Sequence, residues 1–453
     1  MQPSAIYRLA DFARALSLDT MPAQIRRQGG LSLLDTIGCM IAGSATADAA
    51  LLLGAEKSDG GSGRSTVIGT SVSLPTREAA RCNGYFGDIF ELNDLTGGHA
   101  SIGNVAAALA LAEEAGAAGP DLLVALIAGI EVTTRIYNSL YPTLKAYDEC
   151  GMVPVGLPSS VGAATVAARL LGLDADQTRA ALAIAAGLAG WCPAEVIFGG
   201  QSTLKPMLFG GWPASVGLLA AQYASAGMTG PAGILDSPIG YFTAVSRAPD
   251  LTAIDAPAWA LAHPRRKLHA CCGYIHSALD AVLRLRERDP EALDTARAIQ
   301  LKMPPYVMPA VAKLQPPETP NEARFHVRYC VALAASGHGV ILPAHSENFA
   351  DYLARPEVLA AYKKIEMEGE PSLTHYHHAV VRLECADGAE IVEGNAAPKG
   401  SPGNPMSDDE VIEKFMRLAS PVLGAPAAQA VRLAVEDIEK REDLKPLFVL
   451  LKG

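Results

Sequence analysis

Residues 200–216 read GQSTLKPMLFGGWPASV and continue into ASVGLLAAQYASAG at residues 214–227. Small side chains let neighbouring helices approach closely, so this stretch predicts a densely packed helical domain. Lys205 is the only charged residue of residues 200–216, and Pro206 after it favours an extended or turn conformation at a helix entrance. A buried ammonium group is unfavourable unless an anion meets it. The alternative is a lysine that extends from a helix end into solvent.

The same helical pattern covers residues 5 to about 260. Stretches such as LLVALIAGIEVTTRIY (122–137) and SSVGAATVAARLLGL (159–173) are apolar at helical spacing or nearly all round. Glycine or proline separates most of these stretches. Helices without a polar face are expected at the centre of a bundle or under a second subunit.

The composition changes near His263. Beyond it, IQLKMPPYVMPAV (299–311) and HAVVRLECADGAEIVEG (378–394) contain strand-like alternation, and ADG is typical of a hairpin turn. Helical patterns return after Ser407, which is followed by acidic residues suited to a first helical turn. We therefore predict a mainly α protein with an all-helical domain at 1–264, an inserted α+β lid domain at 265–402, and a return to the helical domain at 403–453.

Composition excludes several classes of function. The chain has 453 residues and a net charge of −11, and its one basic cluster is 265–267, which argues against nucleic acid and anionic membranes as partners. The eight cysteines include no CxxC pair, so neither a disulfide framework nor an iron–sulfur cluster is indicated. The N-terminus lacks an apolar signal core and the apolar runs are short for a bilayer, which predicts a cytoplasmic protein.

A first polar stretch, NDLTGGHASIGN at residues 93–104, leads into a helix with Ser101 as its expected N-cap. The free N–H groups of a helix N-terminus can bind a carboxylate, and His99 is placed to exchange a proton with it. Asn93 and Asp94 lie in the same loop. An ordinary capping loop with a hydrogen-bonded histidine is the alternative.

A second polar stretch, HPRRKLHACCGYIH, covers residues 263–276. Arg266 and Lys267 are adjacent cations, and His269 and His276 share a side if one helix continues through both. The HxxCxxxH spacing could hold zinc, but no fourth ligand is visible. Anion binding with acid–base chemistry fits better, and an interdomain hinge with a charged surface remains as the alternative.

Seven stretches, in order along nearly the whole chain, resemble the MmgE/PrpD family. They are LLDTIGCMIAG, FELNDLTGGHASIGNVAAALALAE, SSVGAATVAARLLGLD, STLKPMLFGGWPASVGLLAAQYASAGMTGPAGILD, KLHACCGYIHSALDA, ETPNEARFHVRYCVALA and APKGSPGNPMSDDEVIEKF. The resemblance implies a helical domain with an α+β lid, a homodimer, and an interdomain active site for small di- or tricarboxylates without metal or organic cofactor.

The residues isolated above coincide with positions that the resemblance implies are functional. The predicted catalytic residues are Asp94, His99, Lys205 and His276, and the predicted substrate-binding residues are Asn93, Ser101, Arg266, Lys267 and His269. Two departures stand out, because Val153 and Leu208 occupy positions where the resemblance implies histidine. If the space there is apolar, we expect the substrate to carry an alkyl group in place of a third carboxylate.

These residues predict a cofactor-independent lyase acting on a small polycarboxylate by proton transfer next to a carboxylate. Lysines would stabilise the charge that builds on the carboxylate, while His99 and His276 act as base and acid and Asp94 orients His99 or sets its protonation. A dehydratase of the 2-methylcitrate type is the first choice, with a decarboxylase of the cis-aconitate type next. An epimerase or isomerase, or a degenerate carboxylate-binding relative, are the alternatives.

Overall fold

The computed structural model describes residues 3–58, 61, 63–198 and 202–453, so Gly200 and Gln201 of the opening stretch lie outside the described residues. The prediction of a mainly α protein is confirmed. In the first half of the chain the helices are α1 (Ala5–Ala15), α2 (Ala23–Ser44), α3 (Ala47–Ser58), α4 (Thr76–Asp88), α5 (Ala100–Ala115), α6 (Gly119–Leu140), α7 (Tyr147–Cys150), α8 (Gly156–Leu170), α9 (Ala175–Leu188), α10 (Glu195–Phe198), α11 (Trp212–Ser225) and α12 (Tyr241–Val245). Two short antiparallel strands, β1 (Ser65–Thr66) and β2 (Ser73–Leu74), lie between α3 and α4.

The second part of the chain combines short helices with a four-stranded sheet. Its helices are α13 (His276–Arg288), α14 (Pro290–Thr295), α15 (Met308–Val311), α16 (Pro320–Arg324), α17 (Val327–Ala335), α18 (Pro343–Glu347), α19 (Phe349–Leu353) and α20 (Pro356–Lys364). Its strands are β3 (Ala298–Met303), β4 (Ile365–Gly369), β5 (Ala379–Glu384) and β6 (Glu390–Asn395), in the order β4-β3-β5-β6. Only the β3–β4 pair is parallel. The predicted hairpin is confirmed by the antiparallel β5–β6 pair, whose turn contains Gly388 at φ 86°.

Three helices close the chain, namely α21 (Asp408–Leu423), α22 (Ala425–Glu436) and α23 (Lys445–Leu450). Ser407 caps α21 as predicted, because its side chain accepts a hydrogen bond from the backbone N–H of Glu410. α21 packs on α2, and Lys414 binds Asp35 at 2.7 Å in a buried ion pair. Lys414 also donates to the carbonyl of Leu92 at 2.8 Å, which ties the last part of the chain to the loop that precedes α5.

The hydrophobic residues divide into two cores. The first joins helices of residues 5–262 to those of residues 415–451, while the second is built mainly from residues 271–383. Val153, Ile197 and Phe209 of the helical part belong to the second core, so the two parts meet along that face. The predicted domain boundaries after residues 264 and 402 remain predictions.

Small residues bring helices together as the sequence predicted. A Cβ atom at Gly129 of α6 would lie 2.9 Å from the carbonyl oxygen of Gly162 in α8, and one at Gly162 would lie 2.7 Å from that of Gly129. Only glycine at both positions permits this backbone approach. Among the described residues, no single helix has the length and hydrophobicity needed to cross a bilayer, and α2 with α3, bent by 86°, meet that requirement only as a pair.

Candidate active site

Lys205 stands at the entrance of a π-helical turn, Met207–Gly211, that runs directly into α11. Two glycines permit this turn to lie against α4. A Cβ atom at Gly210 would lie 2.2 Å from the carbonyl oxygen of Gly84, and one at Gly84 would lie 2.5 Å from that of Gly210. This contact brings Lys205 to the C-terminal end of α4, and π-helical turns are frequent at functional sites.

Replacement of Gly210 by alanine should lower the free energy of unfolding by about 3 kcal/mol, because the new methyl group meets a backbone atom that cannot move aside. Gly30→Ala is the matched control, since a Cβ atom there contacts nothing within 4 Å. In a helix interior that change should stabilise the protein by about 0.5–1 kcal/mol. Urea unfolding measures both. Equal effects of the two substitutions would contradict the close contact.

Two lysines and two carboxylates form a buried cluster in front of this turn. Lys205 Nζ lies 2.6 Å from Asp88 Oδ2 and also pairs with Glu91. Lys267 Nζ lies 2.6 Å from the other carboxylate oxygen of Glu91 and donates to its backbone carbonyl at 2.8 Å. All four side chains are at most 4% exposed. The two lysines and two carboxylates balance each other in charge. Burial lowers the pKa of Lys205 to about 8, although the attraction of Asp88 acts to raise it.

Backbone strain is concentrated beside this cluster. Within the part of the chain that the structure describes, Glu91 (φ 54°) and His99 (φ 72°) are the two residues other than glycine with positive φ. Non-glycine residues in this region are costly by about 1–3 kcal/mol each and persist where the surroundings demand them, which is common at active sites. Both side chains line the same cavity.

A hydrogen-bonded chain connects His99 to the cluster and sets its tautomer. His99 Nδ1 lies 2.5 Å from Asn93 Oδ1, and Asn93 Nδ2 donates to Asp88. Because a carboxylate only accepts, the amide nitrogen of Asn93 must face Asp88, and its oxygen must accept from Nδ1–H of His99. Nε2 is then the unprotonated nitrogen. Burial, with a contribution from Lys267, holds the pKa of His99 well below its ordinary value, so the ring is a neutral base.

Phe209 of the π-helical turn fills the apolar side of this arrangement. Its ring meets the His99 ring edge-on at 5.2 Å between centroids, and Lys205 Nζ lies 4.3 Å from its centroid. The phenylalanine therefore orients both groups and keeps water from one face of each.

Asp94 has a different place from the predicted one. Asn93, not Asp94, contacts His99. The Asp94 carboxylate instead accepts hydrogen bonds from the Ser101 backbone N–H at 3.1 Å and from Ser101 Oγ at 2.7 Å. The N-cap position of α5 is His99 in the left-handed conformation, so Ser101 lies in the first turn and Asp94 supplies the capping oxygens. Burial raises the pKa of Asp94 to about 6.

Asp94→Asn should stabilise the protein at neutral pH. An asparagine can accept from the Ser101 N–H and donate to Ser101 Oγ, so both hydrogen bonds remain while a buried charge is removed. The Asp94 carboxyl binds a proton more tightly in the folded protein, where its pKa is about 6, than in the unfolded chain, where its pKa has the ordinary value of 3.8. Its charge therefore opposes folding above pH 6, and the gain of about 1–2 kcal/mol should vanish below pH 4. Chemical denaturation at pH 4 and pH 8 tests this; a loss of stability at pH 8 would contradict it.

A cavity of about 1450 Å³ opens in front of His99 and Glu91, between the helical part and the second part of the chain. Its wall includes Val153 and Phe209 of the helical part and Arg265 and Tyr376 of the second part of the chain. Four carboxylates on the wall balance four cations, namely Glu91, Glu131, Asp148 and Glu195 against Arg135, Lys145, Arg247 and Arg265. A large concave cavity with charged groups and a base on its wall is typical of a small-molecule site.

None of the four residues predicted from the second stretch, Arg266, Lys267, His269 and His276, lies on the described wall of this cavity. Lys267 joins the buried cluster, whereas the Arg266 guanidinium donates to Gln28 Oε1 at 2.8 Å and Ser32 Oγ at 3.2 Å on α2. Arg266 thus bonds to the helical part instead of facing the cavity. Its neighbour Arg265 lines the cavity, a position that the sequence analysis did not assign to it.

His269 and His276 form a pair of their own. α13 begins at His276, so no continuous helix carries both, yet their rings meet edge-on at 5.2 Å. His276 Nε2 lies 3.3 Å from the Cys271 carbonyl, and His269 Nε2 lies 3.3 Å from Asp280 Oδ1. His276 lines a minor pocket that shares Leu95 and Arg265 with the large cavity. The substrate contacts predicted for this pair and for Arg266 remain predictions.

Asp88 and Glu91 are the functional candidates that the sequence analysis missed. Asp88 ends α4, and Glu91 follows three residues later in an ordinary-looking acidic turn. The signal that could have found them is the need of a buried lysine for an anion. Within residues 3–58, 61, 63–198 and 202–453, no three His, Cys, Asp or Glu side chains are grouped as a metal site.

Two family models match this chain over most of its length. The MmgE/PrpD N-terminal domain matches residues 7–253, and the MmgE/PrpD C-terminal domain matches residues 269–440. The chain belongs to the MmgE/PrpD family. The family resemblance seen in the sequence is therefore confirmed.

Curated relatives of this chain include cis-aconitate decarboxylases. A cis-aconitate decarboxylase of Aspergillus terreus is 27% identical over 476 residues, covering 98% of this chain and 95% of the relative. The Homo sapiens cis-aconitate decarboxylase is 28% identical over 350 residues, covering 74% of this chain and 69% of the relative. Together with the family, these relatives support an enzyme of the dehydratase or decarboxylase type.

Proposed function

We propose that this chain is a lyase that removes CO2 or water from a carboxylic acid by proton transfer at the carbon next to a retained carboxylate. The observation that carries the proposal is a neutral, strained His99 on the cavity wall, held through Asn93 and Asp88 to Lys205. Such a hydrogen-bonded chain positions a general base and keeps it in one tautomer. The relatives named as decarboxylases support the same class.

His99 Nε2 would take the proton from the carbon next to the carboxylate, or return one to it. In decarboxylation the neutral His99 ring first takes a proton from water at Nε2. The C–C bond to the carboxylate then breaks, CO2 leaves, and the electron pair left on carbon takes that proton. In dehydration Nε2 takes the proton, the electron pair forms the double bond, and the departing hydroxide needs a proton from a second group. The nearby lysine cluster provides a fixed field for the developing charge.

The separation of His99 from His276 favours decarboxylation over a dehydration that uses this pair. Of the two histidines expected to serve as base and acid, His99 lines the large cavity and His276 lines the minor pocket beside it. Decarboxylation needs one proton-transfer group, whereas dehydration and epimerisation need two. Cofactor independence, a homodimer and a cytoplasmic location remain predictions.

His99→Gln should lower kcat by about 10²–10⁴-fold, because glutamine keeps the hydrogen bond to Asn93 but cannot carry a proton. Candidate acids are incubated in D2O and followed by NMR, which reports CO2 loss, water loss and deuterium at the carbon next to the carboxylate. His378→Gln is the matched control, since His378 does not line the cavity. Full activity in His99→Gln would contradict the assignment, and deuterium exchange without loss of CO2 or water would favour an epimerase.

A further inference from the structure

Aromatic rings in contact with one another form part of the cavity wall. Six tyrosines line it, Tyr137, Tyr141, Tyr147, Tyr274, Tyr306 and Tyr376. Tyr137 stacks on Tyr141 at 5.6 Å, Tyr141 meets Tyr376 edge-on at 6.3 Å, and Tyr376 lies 5.6 Å from Tyr274. The wall therefore presents ring faces and edges from two parts of the chain.

The tyrosine hydroxyls are largely engaged with protein groups. Tyr147 and Tyr274 hydrogen-bond to each other at 2.9 Å, and Tyr376 accepts from Arg265 at 2.8 Å. Burial raises the pKa of these three tyrosines, so their hydroxyls stay neutral. The wall thus offers apolar ring surface in preference to hydrogen bonds for a ligand rich in carboxylates.

Arg265 is the lining cation that remains available to an anion. Among the cations of the described cavity wall, Arg135 and Lys145 donate to backbone carbonyls and Arg247 pairs with Glu149, but the Arg265 guanidinium binds only the neutral hydroxyl of Tyr376. Lys205 and Lys267 are neutralised by Asp88 and Glu91. One planar guanidinium can bind one carboxylate in a bidentate manner.

The space beside His99 is apolar as well. Val153, which stands where the family resemblance implies histidine, lines the cavity together with Val155, Ile197 and Phe209. A carboxylate placed there faces these apolar side chains and the Glu91 carboxylate, and the lysines behind them are already paired. Poor solvation of the carboxylate favours the conversion of this group to neutral CO2.

We propose that the substrate is a dicarboxylic acid that bears an aromatic or comparably bulky apolar group. Arg265 binds the retained carboxylate, the ring packs against the tyrosine wall, and the second carboxylate leaves beside His99. An additional carboxylate would have to displace the protein hydrogen bonds of Arg135, Lys145 or Arg247, so a small tricarboxylate fits this cavity less well. This inference rests on the proposed lyase function.

Calorimetric binding of three probes to the wild-type protein tests the substrate class. Benzylmalonate and methylmalonate share a head group and differ by one phenyl ring, and cis-aconitate carries a third carboxylate. Benzylmalonate should bind about tenfold or more tightly than either other probe, since a buried ring adds about that factor. Equal or tighter binding of cis-aconitate, or no binding of benzylmalonate, would overturn the proposal.

Variants separate the two contacts. Arg265→Gln should weaken benzylmalonate and methylmalonate alike, by about tenfold or more, since a charge-assisted hydrogen bond is lost. Tyr141→Ala should weaken the binding of benzylmalonate and leave the binding of methylmalonate unchanged. Arg288→Gln, the control at a paired cation outside the cavity wall, should change neither affinity more than about twofold. If Arg265→Gln does not fold, Arg265→Lys retains the charge without the bidentate fork and should bind more weakly than wild type. Unchanged binding in an Arg265 variant would overturn the anchor.

Turnover distinguishes this proposal from the proposed function. Benzylmalonate should lose CO2 and take up one proton to give 3-phenylpropionate. If benzylmalonate binds preferentially but no acid is decarboxylated, dehydrated or exchanged, the substrate class stands and the lyase assignment fails. If cis-aconitate is bound more tightly and turned over, the lyase assignment stands and the aromatic substrate class fails.

Discussion

Lys205→Met should reduce turnover by about 10³-fold or more and destabilise the protein by about 3–5 kcal/mol. The ammonium group lies 2.6 Å from Asp88 and also pairs with Glu91. Its removal leaves two buried carboxylates facing the single cation of Lys267, and the field next to His99 becomes negative. Steady-state kinetics and urea unfolding measure the two effects.

A second substitution separates stability from catalysis. Lys205→Met with Asp88→Asn restores the charge balance, because Glu91 and Lys267 then pair one to one. The double variant should recover most of the lost unfolding free energy but little of the activity, since the cation remains absent. Recovery of activity along with stability would show that Lys205 acts only in folding.

Glu91→Gln should also lower the unfolding free energy by about 3–5 kcal/mol at pH 7, since two buried lysines would share one carboxylate. The sign of its pH dependence follows from Lys205, whose pKa is about 8 in the folded protein against an ordinary 10.5. Between these values the unfolded chain binds more protons than the folded one, so this contribution to stability rises with pH. Loss of the Glu91 carboxylate lowers the folded-state pKa of Lys205 further, so the deficit of Glu91→Gln should shrink as the pH rises to about 8 and stay constant above it.

Glu436→Gln is the matched control for this charge removal. Glu436 pairs with Arg432 four residues earlier on α22, at 2.9 Å, with its side chain 59% exposed. Loss of such a pair should change stability by less than about 0.5 kcal/mol. Equal losses of unfolding free energy in Glu91→Gln and Glu436→Gln would contradict the contribution of the buried Glu91 ion pairs to stability.

Local patterns were sufficient for much of the fold. The apolar spacing of residues 122–137 and 159–173 predicted α6 and α8, ADG predicted the β5–β6 turn, and Ser407 predicted the start of α21. Each of these features depends on neighbours a few residues away, and that is why sequence spacing alone is informative. Lys205 and His99 were found for a related reason, because each is a polar group within an apolar, small-residue stretch.

The sequence spacing did not show which residues of the site contact one another. Asp94 and Asn93 are adjacent, and either could have held His99 until the left-handed backbone at His99 turned its ring towards Asn93. Arg265 and Arg266 are likewise adjacent, yet one faces the cavity and the other faces α2. Successive side chains of an irregular segment point in directions that only its packing decides.

By itself the sequence determined the family, the mainly helical architecture, and the presence of a buried lysine and a loop histidine that required explanation. Only the tertiary structure decided which anions meet the lysines, because Lys205 pairs with Asp88 across 117 residues and Lys267 with Glu91 across 176. Periodicity records interactions between near neighbours, whereas a buried ion pair is selected by desolvation once distant segments have packed together.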